Sequence, residues 1–203
     1  NINRKDQDEF AYNSHKKAIN AIHSGFFKDE IIPIKVSENY LNKKETKETK
    51  EYIIDQDEGA REDTTIEKLS KLKPVFAQKG SVTAGNSSQI SDGASFVVIM
   101  SDKLIKKLNI KPIARLLSYE LAGVEPKHMG IGPIEAIPKA LKKANIRLEN
   151  IELIELNEAF ASQSLAVIRE LNLNTEIVNV NGGAIALGHP RGCTGAKLTT
   201  QLI

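Results

Sequence analysis

The sequence predicts an α/β fold built in layers, and three observations predict it. From about residue 94 onward, short continuous apolar runs alternate with amphipathic helical ones. The stretches between them are rich in glycine, proline, serine and asparagine, which marks turns. The first 90 residues alternate less regularly and read as an excursion from the layered part. With 203 residues, 40% of them hydrophobic and 27% charged, the chain has the mix of a soluble globular protein, with room for one good core or two small ones.

The elements follow in order. Residues 4–24 space Phe10, Ala11, Ala18, Ala21 and Ile22 along one stripe with charges between, which predicts a helix stopped by Gly25. Residues 31–36 form a short β-like run, and 42–51, NKKETKETKE, read as a solvated loop or surface helix. Residues 64–72 predict a short helix capped by Thr64 or Thr65, and 81–92 a loop. Then come a buried strand at 94–100, a helix at 102–108, a strand at 112–122 and a glycine-proline turn at 130–133. A helix at 133–145 begins with Pro133, where the missing N–H costs nothing. Strands at 151–156 and 177–180 flank a helix at 158–171. The last helix starts near Gly195 and meets no cap, so the expectation is a chain cut within a domain.

Composition excludes several functions. The net charge of +2 gives no broad basic field for nucleic acid, and 5% aromatics with no tryptophan gives no stacking platform. No run of about 18 apolar residues offers a membrane span. The start, NINRKDQDEF, has no apolar signal core and begins on Asn rather than Met, so a missing start is expected. The single cysteine, Cys193, rules out an internal disulfide and a cysteine-rich metal site, and fits a reducing, cytoplasmic setting. No metal ligand set is expected.

Residues 181–195, NGGAIALGHPRGCTG, place five glycines in fifteen positions. They match neither a phosphate loop, since Gly195 precedes Ala196 and Lys197, nor a dinucleotide fingerprint. His189 stands between Gly188 and Pro190. A lone histidine is usually structural or merely exposed. Here a fixed backbone and open surroundings equally suit a general base or hydrogen-bond donor, because imidazole titrates near neutral pH. The residues alone leave both readings open.

The segment NGGAIALGHPRGCTGAK resembles the signature of thiolases almost residue for residue. VTAGNSSQISDGA at 82–94, MGIGP at 129–133, IELNEAFA at 154–161, DEGAREDTT at 57–65 and the helix opening NRKDQDEFA resemble the same family, in its order and spacing. The resemblance covers the chain except for 37–55. It implies a layered α-β-α-β-α fold, here incomplete. Residues 1–90 would be the second part of the loop excursion with coenzyme A-binding segments, and 91–203 the carboxyl-terminal domain lacking its end. The implied reaction converts a 3-ketoacyl-CoA and CoA into a shortened acyl-CoA and acetyl-CoA, as in fatty acid β-oxidation. The NSSQ and GCTGAK variants lean toward this degradative branch rather than an acetoacetyl-CoA-forming acetyltransferase.

In that family a cysteine thiolate attacks the ketoacyl carbonyl and keeps the acyl group. The resemblance gives His189 two tasks: taking that cysteine's proton and donating an N–H to the thioester oxygen. Asn157 would hold the water completing the oxyanion hole, although it also reads as a helix N-cap. Glu158 would support the site or answer the helix dipole. Ala84 and Ser88 would meet the pantetheine amides, Phe76, Met129 and Phe160 would wall the tunnel, and Arg61 would lie near the adenine or phosphates. By default these are core, turn or surface residues. His15 and His23 read as surface residues, and His128 has no family role to inherit. Cys193 is rejected as nucleophile, because the family often has another residue there, and reads as small-residue packing. CoA and acyl-CoA would be substrates, with no permanently bound cofactor, and the complete protein would be a dimer or tetramer.

The resemblance also shows an absence. The family's nucleophilic cysteine lies in its first half and a second, acid/base cysteine near its carboxyl end, and neither is in this sequence. This polypeptide alone is therefore expected to lack turnover, and a catalytically inactive truncated remnant is the rival from another class. A β-ketoacyl synthase would place a second histidine where Asn157 stands.

Overall fold

A computed structural model describes residues 2–203. Helix α1, Arg4–His23, opens where the Asn3 side chain accepts a hydrogen bond from the Asp6 N–H at 2.9 Å. It buries Gln7, Asp8, Ala11, Ser14, His15, Ala18 and Ala21, a stripe at helical spacing. It ends before Gly25, which adopts φ +74°. His15 lies on the buried face rather than at the surface as expected, because α1 is covered on that side by the loop leading to Arg61. His23 is exposed.

Strands β1, Ile34–Leu41, and β2, Lys47–Ile54, form an antiparallel hairpin pairing Ile34 with Ile54 and Leu41 with Lys47. The charged run expected to be a loop or surface helix is thus mostly the turn and second strand. Its lysines, glutamates and threonines are tolerated because both faces are largely exposed and opposite charges meet, as in Lys35–Glu51 at 2.7 Å. Helix α2, Ile66–Ser70, is capped by the Thr65 hydroxyl. Helices α3, Asp102–Leu108, and α4, Gly132–Ala144, both end on an asparagine in the left-handed region, Asn109 and Asn145.

Helix α5, Ala161–Glu170, short α6, Ala184–Leu187, and α7, Thr194–Leu202, complete the chain. Three apolar clusters hold these parts together. Ala18, Ala21 and Phe27 pack on Ala186 and Leu187. Ala11 and Leu69 pack on Ala161 and Ile185. Leu156, Val167, Ile168, Leu173 and Val178 form the third.

The expected central strands depart from the sequence reading. Residues 151–156 and 177–180 are reduced to one parallel bridge, Ile154 with Val178. Residues 94–100 and 112–122 pair with nothing among the described residues, and Phe96 and Ile113 are 89% and 83% exposed. The physical reason is that a buried parallel strand requires a hydrogen-bonding neighbour and cover on both faces. These segments have neither here. The alternation of apolar and helical segments is nevertheless an α/β pattern, and the parallel bridge is its visible trace.

Candidate active site

The segment from Ile154 to Phe160 runs from that parallel bridge into α5. Asn157 does not cap the helix, which begins at Ala161. Its carbonyl oxygen instead accepts hydrogen bonds from Gln163 Nε2 at 3.2 Å and Ser164 Oγ at 3.5 Å. This leaves the Asn157 side chain free to face His189: Asn157 Nδ2 lies 3.5 Å from His189 Nε2. Asn157 Oδ1 is buried without a hydrogen-bond partner among the described residues. A buried amide oxygen without a partner is rare in folded proteins.

His189 follows Gly188, whose φ of +87° ends α6. Its Nδ1 stands 2.7 Å from Thr194 Oγ1, on the first turn of α7. Partial burial holds the imidazole below its ordinary pKa, and the positive charges of Arg191 and Lys197 add to this. A neutral imidazole near neutral pH can accept a proton. Behind the loop, Lys197 Nζ donates to the carbonyls of Leu187 and Gly188, each at 3.3 Å.

Glu158 is 2% exposed and is a structural centre. Its carboxylate accepts from Ser14 Oγ at 2.6 Å, Asn179 Nδ2 at 2.9 Å and the Ile185 N–H at 3.2 Å. Ser14 Oγ in turn accepts from the Gly183 N–H. Burial pushes the Glu158 pKa up, and these hydrogen bonds oppose it. Any side chain at Gly183 would collide with the carboxylate, so this glycine exists to let the loop approach. The support reading of Glu158 thus has a geometry: it ties α1, the Asn157 turn and the His189 loop to one carboxylate. Nearby Glu155, with one buried oxygen that has no hydrogen-bond partner among the described residues, is pushed up to about 7 by burial first and by the Glu158 charge second.

The other predicted residues divide into two groups. The loop carrying Ala84 and Ser88 lies against the Asn157 turn: the Ser88 N–H donates to the Ala159 carbonyl at 3.0 Å, and Ser87 bridges Phe160. The His189 N–H donates to the Gln89 carbonyl at 3.3 Å, so this loop also touches the histidine segment. Phe76 meets Phe160 edge to face with centroids 6.0 Å apart. The turn carrying Met129 reaches α5, where Gly130 fits against Gln163. Arg61 lies further out, its side chain exposed, its own N–H donating to His15 Nδ1 at 3.2 Å. Phe76 at 74% and Met129 at 78% exposure are not core residues, so the default packing reading fails for them. Cys193 is partly buried at the head of α7.

Two family descriptions together match nearly the whole chain: Thiolase, N-terminal domain, over residues 1–103, and Thiolase, C-terminal domain, over residues 110–203. The chain belongs to the thiolase family. A 3-ketoacyl-CoA thiolase of Bacillus subtilis is 52% identical over all of this chain and 52% of its own length. A solved Bacillus anthracis acetyl-CoA acetyltransferase matches at TM-score 0.92 and 49% identity, over 99% of this chain and 49% of that one. A human mitochondrial 3-ketoacyl-CoA thiolase solved in complex with CoA matches at TM-score 0.85 and 41% identity, over 99% and 48%. The chain spans about half the length of the curated relatives it matches. Its fold is the thiolase fold, incomplete.

Sequence reasoning missed Thr194, Lys197, Glu155 and the burial of His15. For Thr194 a signal existed, since a hydroxyl opening a helix just past a candidate histidine is placed to meet its ring. For His15 the helical stripe already passed through it, between Ala11 and Ala18.

Proposed function

We propose that the complete protein is a thiolase acting on 3-ketoacyl-CoA and CoA, and that this part supplies His189, Asn157 and CoA-facing segments. The observation that carries the reading is His189 Nε2 beside the Asn157 amide, on a loop bound to the one holding Ser88. In this reading His189 takes the proton of the attacking cysteine thiol, which the sequence does not contain, since its one cysteine is Cys193. The thiolate adds to the 3-keto carbon and the bond between carbons 2 and 3 breaks; carbon 2 takes a proton from the family's second, acid/base cysteine, which this sequence does not contain, and acetyl-CoA leaves. That second cysteine, now a thiolate, takes the proton of the CoA thiol, and the acyl group passes to CoA with the first cysteine leaving as thiolate. The protonated His189 and a water on Asn157 hold the oxygen that gains charge, and one such donor contributes roughly 3–4 kcal/mol.

Ala84 and Ser88 face the pantetheine, Phe76, Met129 and Phe160 wall it, and Arg61 meets the nucleotide end. Residues 1–90 carry most of the CoA-facing segments, and 91–203 the histidine-bearing domain. CoA thioesters are substrates, no resident cofactor is required, and the complete protein assembles as a homo-oligomer in the cytoplasm. The test is thiolysis of a 3-ketoacyl-CoA by the complete protein. His189→Ala should lower the rate by about 10²- to 10⁴-fold, and an unchanged rate sinks the reading. The 203-residue chain alone should show no substrate-dependent turnover. If stops or frameshifts isolate this segment in its gene, the remnant reading replaces this one.

A further inference from the structure

His189 Nδ1 and Thr194 Oγ1 are 2.7 Å apart, and either atom can supply the proton between them. Two neighbours decide which does. The Thr194 hydroxyl lies 3.1 Å from the Pro190 carbonyl oxygen, which can only accept and also takes the Cys193 and Thr194 N–H groups at 2.7 and 2.9 Å; a hydroxyl hydrogen pointed there leaves the hydroxyl oxygen to accept from Nδ1. On the far side of the ring, Asn157 presents Nδ2, a donor, at 3.5 Å from Nε2. Both contacts are satisfied together when Nδ1 carries the hydrogen and Nε2 carries the lone pair. Thr194 is buried, so water does not compete for its hydroxyl.

We propose that Thr194 is a positioning residue that holds His189 in the Nδ1–H tautomer, leaving Nε2 bare. This rests on the reading of His189 as the base. It orders the two tasks of the histidine on one atom. Nε2 first accepts the thiol hydrogen, leaving a thiolate and an imidazolium. Only then does Nε2 carry an N–H to donate to an oxyanion. Nδ1–H stays paired with Thr194 throughout, so the ring keeps its orientation as its charge changes. With the opposite tautomer Nε2 already bears a hydrogen and cannot take the thiol proton.

The same chain contains a built-in contrast. His15 Nδ1 accepts the Arg61 N–H at 3.2 Å, which requires its hydrogen on Nε2. Two histidines in one protein should therefore show opposite tautomers.

The experiment is long-range proton–nitrogen correlation NMR on protein labelled in histidine, this chain or the complete one. It is run at a pH about two units above the ordinary imidazole value. Of four histidines, the His189 signals are those lost in His189→Gln. The expected result is a protonated Nδ1 at His189 and a protonated Nε2 at His15. Thr194→Val should move His189 toward Nε2–H, and Thr194→Ser should keep Nδ1–H. A wild-type His189 with its hydrogen on Nε2 overturns the proposal, as does a folded Thr194→Val protein with unchanged shifts. If Thr194→Val does not fold, the wild-type tautomer decides alone. Failure of the base reading is seen separately, as thiolysis that survives His189→Ala in the complete protein whatever the tautomer.

Discussion

Residues 94–121 and residues 154–187 are both rich in apolar side chains, yet they meet opposite fates. In the second stretch Val167 and Ile185 are 0% and 1% exposed, while in the first Phe96 and Val98 are 89% and 82% exposed. The second stretch has α1 against it, and its polar backbone is satisfied by Asn179, Ser14 and Glu158. Outside α3 the first has no strand to pair with among the described residues, and only scattered contacts such as Ser95 with Thr200 and Ser118 with the Ala140 carbonyl touch it. The difference teaches that apolar sequence is only a demand for burial. Whether it is met depends on partners elsewhere in the chain, because ordering a segment costs about 1–2 kcal/mol per residue that contacts must repay.

The sharpest way to break the comparison is at the knot of the ordered block. Gly183→Val should drive a side chain into the Glu158 carboxylate and cost at least about 4 kcal/mol. The cooperative thermal transition seen by circular dichroism should disappear. A melting temperature within about 2 °C of wild type would show that the block does not depend on this contact.

A smaller effect should appear with pH. Glu155 sits at about 7 in the folded state, above the ordinary glutamate value, because burial and the Glu158 charge favour its neutral form. A raised carboxyl contributes stability that is present in acid and is lost as pH rises through the folded value. The melting temperature should therefore fall between about pH 5 and pH 8, and Glu155→Gln should flatten that slope. Glu158, Glu30 and Lys197 share this environment, so a residual slope in the variant is expected, but an unaltered one is not.

The smallest effect belongs to the open segment. Phe96→Ser should change the stability of this chain by no more than about 0.5 kcal/mol, since the ring touches little, while lowering its tendency to associate. A large loss of stability in a urea titration would mean that residues 94–121 pack in solution after all.

These contrasts also explain what could be read beforehand. Helices α1, α3, α4 and α7 were legible, because their caps and spacing are local properties. The strands at 94–100 and 112–122 were legible as apolar runs but not as unpaired ones, since pairing is settled by other parts of a chain. The β2 strand was hidden by its charges, which suit an exposed hairpin as well as a loop. His189 and Asn157 stood out through glycine-rich surroundings and resemblance. Their side-chain contact across 32 residues of sequence is a fact of the tertiary structure alone. Thr194 lay in plain view but has meaning only once the ring direction is known.

The hydrogen bond between Ser14 and Glu158 joins residues 144 apart in sequence. During synthesis, at about 5–20 residues per second, α1 leaves the ribosome on the order of ten seconds before its carboxylate partner exists. Phe27 and Leu69 cover part of its alanine-lined face early, but Ala161, Ile185, Ala186 and Leu187 arrive only after that time. Closing so distant a contact also makes the approach to the native state slow. The site thus assembles late, because the groups that close over α1 are made after it.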